Sequence, residues 1–312
     1  MMYDLNTRYQ TQLLVVVILL MCGNAFGQND SMLQNEWKNI LQIDTVTVYA
    51  KGARFNIPSF MRLVFEDKSL HQSFKNLHSV PYSAHHSIVV RNEQNTVAEY
   101  FSAKTFQEIH AACREIKYSG RNFSAGFFKK SKKHKYYTTE IYERMFLPQG
   151  QICHYDNNET ESSKNVYLSA YTEKIKQMVF RPTQKTFLPF IGDQNEIFSP
   201  KHRQKYIFKL RRINIAGKEA YEFDIRRKPN VPDSDILIDK MVTWFDASDL
   251  QVIRRTMTVR KKGGFFDMDV NIDVGTTKTS GLYVPAYMKY TGNWHIPFSK
   301  KERISFKTTF QY

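Results

Sequence analysis

The sequence predicts an α+β fold: one large, curved antiparallel sheet, an incomplete β-barrel of about eleven strands, with a few covering helices. Three observations lead there. The last third of the chain, residues 206–312, is a succession of short runs rich in Val, Ile, Thr, Tyr and Phe, split by turn residues. Within it Phe266, Met268, Val270, Ile272 and Val274 alternate with Asp267, Asp269, Asn271 and Asp273, a period of two that gives one apolar and one polar face. Two stretches earlier in the chain carry apolar residues at helical spacing, too few to cover such a sheet completely.

The chain opens on an unbroken apolar run, residues 13–21, preceded by Arg8 and followed by Ala25-Phe26-Gly27. This predicts a signal peptide over residues 1–27, cleaved near Gly27. The run is short of the ~20 residues that span a bilayer. A retained anchor is the other reading. An N-terminal segment, 28–57, and one domain, 58–312, would follow. The removed piece carries Asp4 and Arg8, so the mature chain keeps the formal charge of +15. An exported protein with that charge points to anionic surfaces such as lipid headgroups and away from nucleic acid. A basic surface with no partner is equally open. The placement expected is the periplasm or the outer-membrane periphery.

Residues 31–41 suit a short helix. Residues 59–78 read as a longer one, with Pro58 at its start and Phe60, Leu63, Val64, Leu70, Phe74 and Leu77 as its stripe. Strands are expected over residues 82–91, 96–104, 109–118 and 135–146, with turns at Asn92-Glu93-Gln94-Asn95 and at residues 118–122. A second helix is expected over residues 163–180. Residues 183–200 are irregular but apolar, and Phe187, Leu188, Phe190 and Ile191 there are candidates for the mouth of a cavity. Seven more strands follow, near 206–214, 219–228, 236–245, 250–261, 265–276, 282–290 and 302–310, turning at Ala216-Gly217 and residues 246–249. A two-residue turn at Gly263-Gly264 puts Met268 opposite Val259 and Arg260 opposite Asp267. In that register Arg255, opposite Ile272, is the one mismatch.

Residues that carry chemistry are sparse. Cys113 and Cys153 are the cysteines left after the signal peptide, and they either pair or stay as two buried thiols. Asp267, Asp269 and Asp273 share a strand face, where charge pairing with Arg254 and Arg260 is favoured over a metal. His85 and His86 are adjacent and point to opposite faces. No nucleophile elbow, phosphate loop, dinucleotide turn or metal-binding spacing occurs, so neither an enzyme nor a cofactor is expected. Lys129, Lys130, Lys132, Lys133 and Lys135 make the densest basic run, between Phe127-Phe128 and Tyr136-Tyr137. That suits an anionic membrane surface with the rings at headgroup level. A solvated hairpin loop is the plainer reading.

Thr243-Trp244-Phe245-Asp246 leading into Leu250-Gln251-Val252-Ile253-Arg254, with Gly281-Leu282-Tyr283-Val284-Pro285 later, resembles the lipoprotein-sorting carriers LolA and LolB. It also resembles exported Bacteroidetes proteins in which such a sheet follows a short N-terminal segment. The resemblance implies a half-barrel with a helical lid over an apolar hollow, a lipid or lipoprotein ligand, and an arginine inside the barrel that holds the lid. The sequence matches that arginine to no position. The function expected is therefore a non-enzymatic envelope protein binding an apolar or lipid-bearing ligand. A structural or interaction module with a filled interior and a hydrolase with an unrecognised site are the alternatives. The sequence leaves the oligomeric state open.

Overall fold

The computed structural model describes residues 37, 40–43, 56–111, 113–153, 180, 193–194, 196–262, 267–295 and 301–312. The expected signal peptide, all but the last residue of the second helix, the Gly263-Gly264 turn and most of the 183–200 stretch lie outside them. Among the described residues no helix is long and apolar enough to cross a membrane.

Among the described residues twelve strands form one open sheet, one more than expected. They are β1 (Leu41–Ile43), β2 (Tyr82–Arg91), β3 (Val97–His110), β4 (Cys113–Phe123), β5 (Gln151–Cys153) and β6 (Tyr206–Ile215), followed by β7 (Lys218–Arg227), β8 (Ile238–Asp246), β9 (Val252–Lys261), β10 (Asp267–Thr279), β11 (Leu282–His295) and β12 (Glu302–Gln311). Their order is β1-β6-β7-β8-β9-β10-β11-β12-β2-β3-β4-β5. All neighbours are antiparallel except β1, which runs parallel to β6. The sheet does not close, and its two edges are the three-residue strands β1 and β5. The architecture is the α+β half-barrel the sequence predicts.

Among the described residues three helices lie against the sheet: α1 (Ile57–Glu66), α2 (Ser69–Asn76) and α3 (Tyr137–Phe146), with a helical turn, α4 (Pro200–Arg203), before β6. The single helix expected over 59–78 is broken in two. Asp67 leaves helical geometry at ψ 123°, and its carboxylate accepts from the amide of Ser69 at 3.0 Å and its hydroxyl at 2.6 Å. An Asp that satisfies the next helix's first donors competes with continuing the previous one.

The strand expected over 135–146 is helix α3. Its Tyr-, Thr- and Ile-rich sequence has strand propensity, but Thr138, Tyr142 and Phe146 fall four apart and are buried together. Tertiary packing decides. The strand expected over 109–118 is a hairpin. β3 runs to His110, Ala111 takes a left-handed φ of 52°, and β4 continues unbroken through the turn expected at 118–122. An alanine at positive φ is uncommon and leaves no mark in the sequence. The turns at Asn92–Asn95, Ala216-Gly217 and Asp246–Asp249 lie where expected.

β9 and β10 pair, but two residues away from the expected register. Val270 faces Val259 and Ile272 faces Met257. Lys261 pairs with Met268. A slip of two keeps every side chain on its face, and Val270, Ile272 and Val274 are buried as predicted. The opposite, convex face is laced by polar pairs. Trp244 donates to Glu222 at 3.0 Å, Arg254 lies 5.0 Å over the Trp244 ring and bonds Asp273 at 2.9 Å, and Tyr287 donates to Asp273 at 3.0 Å. The Tyr287 ring crosses Gly275, where a Cβ would sit 2.4 Å from it.

Candidate functional site: the concave face and its helical cover

The strand registers align one row of side chains across the concave face: Thr243, Arg255, Val274, Met288, Thr308, His86 and Ala103. The flanking rows are almost wholly apolar, including Phe245, Met257, Val259, Ile272, Phe306 and Ile88. Phe60 of α1 inserts among Tyr221, Phe223 and Phe245, ring centroids 6.2, 5.8 and 5.7 Å away. Tyr142 of α3 packs 4.7 Å from Phe306, which in turn stacks on Tyr290 at 4.8 Å. The N-terminal segment joins this core: Trp37 is buried with its ring 5.1 Å from Phe208.

Polar contacts set into this apolar surface hold the cover. The first is Arg255. Its guanidinium donates to the Thr243 hydroxyl at 3.0 Å, to the Phe180 carbonyl at 3.3 Å and to Asp67 Oδ2 at 3.3 Å. The Arg255 and Asp67 side chains are 5% and 7% exposed. Burial pushes the Arg255 pKa down, and the Asp67 carboxylate opposes that shift. Ser69, which caps off Asp67, also accepts from the Val252 amide at 2.9 Å. The α1–α2 junction is thus bonded to β9 by the side chains of Asp67 and Ser69.

The second contact fixes α3. The Glu302 carboxylate at the start of β12 accepts from the amides of Tyr137 at 2.6 Å and Thr138 at 3.1 Å and from the Thr138 hydroxyl at 2.7 Å. A carboxylate there satisfies orphan donors and complements the helix dipole. Halfway along α3 the Tyr142 hydroxyl lies 2.7 Å from His86 Nδ1 and 2.6 Å from the Thr308 hydroxyl, and His86 Nε2 lies 2.8 Å from the Thr105 hydroxyl. Burial pulls the His86 pKa down to about 4, with a smaller contribution from His85. His86 is neutral at physiological pH. Its neighbour His85 points out to solvent, as alternation requires.

Among the described residues Phe60, Leu70 and Tyr142 of the three helices pack into the apolar core on the concave face. A cleft of about 160 Å³ opens where β4 meets β5, against Ile109, Arg114, Ile152 and the turn that follows α2 at His78 and Ser79. That is smaller than the ~300 Å³ at which ligand pockets begin.

Of the residues singled out in the sequence, Phe187, Leu188, Phe190 and Ile191 lie outside the described residues. Cys113 and Cys153 face one another across β4 and β5 and are bonded, S–S 2.02 Å. Asp273 and Asp269 belong to the convex face, bonded to Arg254 and 3.8 Å from Arg260 respectively. The basic run forms a hairpin loop in which the Lys129 amide donates to the Lys133 carbonyl at 2.9 Å. The rings beside it are not at its surface: Phe127 is buried, and Phe128, Tyr136 and Tyr137 pack against the core. Arg255 was missed, although a mismatch at that position was legible: an arginine on the strand's apolar side.

No protein-family model matches the chain, and no curated protein matches it. Solved structures that it resembles include a DUF1329 family protein from Desulfovibrio piger (10% identity, 80% of this chain, 90% of that one, TM-score 0.26). Others are an outer membrane lipoprotein-sorting protein domain from Vibrio parahaemolyticus (10%, 80% and 92%, 0.27) and a LolA superfamily protein from Nitrosomonas europaea (7%, 78% and 92%, 0.23). Likeness at this level carries no weight for function.

Proposed function

We propose that the protein is an exported, non-enzymatic carrier of the cell envelope that takes an apolar ligand, a lipid or the acyl part of a lipoprotein, onto the concave face. The observation that carries this reading is Arg255. A charge on an otherwise apolar surface is costly to bury, and this one is bonded to the covering segment through Asp67 and Phe180. Such an arrangement suits a cover that closes reversibly, with the described state as the closed form. The leading apolar run and the Cys113–Cys153 bond support export to an oxidising compartment. The same packing also fits a module whose interior is permanently filled.

A fluorescent fatty-acid probe separates the two. Asp67→Asn weakens the closed form, and each 1.4 kcal/mol removed from it raises the open fraction, and with it the apparent affinity, tenfold. The carrier reading expects tighter probe binding by Asp67→Asn than by wild type. No binding by either protein leaves the filled module.

A further inference from the structure

We propose that one end of the half-barrel is a docking surface for an anionic lipid bilayer, built from the lysine hairpin after β4 together with exposed apolar residues that β3 and β4 bring beside it. This is independent of what the concave face holds.

The charge comes from Lys129, Lys130, Lys132 and Lys133. All four are exposed, and among the described residues none pairs with a carboxylate. A tight turn presents them together. The Lys132 amide donates to the Lys129 carbonyl at 2.8 Å, and Phe128 and His134 form a β-bridge beneath. Lys135, by contrast, is bonded to Glu99 at 3.2 Å and serves to tie the hairpin to β3. Lys301, just before β12, and Arg303 on it lie at the same end, where Arg303 bonds the Asn92 carbonyl at 2.9 Å.

The apolar part comes from elsewhere in the sequence. Val97 is 58% exposed, Tyr100 40% and Phe123 36%. They lie at one end of the sheet: Phe123 is opposite Phe101 on one face, Tyr100 points to the other face, and the Tyr100 and Ser124 backbones are hydrogen-bonded. The Phe123 ring lies 5.3 Å from Phe128 at the base of the hairpin, and Arg121 lies 5.0 Å over Phe123. Exposed rings next to unpaired cations match the interfacial zone of a bilayer, where aromatic bodies sit at headgroup depth and lysines meet the negative leaflet. A soluble polyanion would use the lysines but leave the rings unoccupied. The hairpin runs directly into α3, so docking brings one of the covering helices to the membrane.

The test is cosedimentation of the full chain with phosphatidylcholine vesicles, with and without phosphatidylglycerol, across a salt series. Wild type should bind only the anionic vesicles, less tightly as salt rises. The fourfold variant Lys129→Ser, Lys130→Ser, Lys132→Ser, Lys133→Ser should lose on the order of a thousandfold at low salt, from about 1 kcal/mol per lysine. The variant Val97→Ser, Tyr100→Ser, Phe123→Ser should keep the salt-sensitive part and lose the binding that persists at high salt. Unchanged thermal midpoints certify that both variants are folded. Failure of wild type to bind, or equal binding by the lysine variant, overturns the proposal. Undiminished binding by the apolar variant, with equal affinity for heparin, also overturns it and identifies the surface as a site for soluble polyanions.

Discussion

Arg255 Nη2 lies 3.3 Å from Asp67 Oδ2, joining β9 to the break between α1 and α2 across 188 positions of sequence. Both side chains are buried. Removing one partner of such a pair leaves an uncompensated charge, which costs about 3–5 kcal/mol, whereas replacing both by apolar groups is often neutral. Asp67→Leu should therefore lower the urea midpoint strongly, and the double variant Asp67→Leu, Arg255→Met should recover most of it. Additive losses would show that the two residues do not act as a pair.

His86 makes stability depend on pH. The unfolded chain binds its proton near 6.5, the native state only near 4. The native state is thus at full strength above pH 6.5 and weakens as pH falls toward 4, by about 3 kcal/mol for this group. Urea unfolding between those limits checks it. His86→Gln keeps polar partners for Tyr142 and Thr105 without titrating, and should flatten the slope in this window. An identical slope in variant and wild type would mean that other groups set the pH dependence.

The Cys113–Cys153 bond closes a loop of 40 positions. Chain entropy assigns such a crosslink about 4 kcal/mol. Because β5 has only three paired residues, reduction should also release its backbone. Unfolding of oxidised and reduced protein measures the first effect, and hydrogen exchange at Glu115 and Ile152 the second. Equal stability with unchanged exchange would show that backbone pairing alone holds this edge.

What the sequence made legible is the periodic part. Val270, Ile272 and Val274 were readable as one face because a strand alternates whatever its partner. The register was not, because it depends on where the chain turns between the strands, and moving the turn by one residue moves every pair by two. α3 was misread because Tyr137, Thr138 and Thr139 favour strands, and what makes them helical is Glu302, 164 positions away from Thr138. The His86–Tyr142 contact likewise spans 56 positions. Arg255 is the instructive case: its place on the apolar side could be read, but its partner at a helix break could not.

The central claim is that the concave face takes an apolar ligand when its cover lifts. Native mass spectrometry of protein purified without detergent from the cells that export it tests this most directly. The carrier account predicts a population heavier than the polypeptide by the mass of an acyl lipid, lost on organic extraction. Bare polypeptide alone, together with no uptake of a fatty-acid probe, would contradict it.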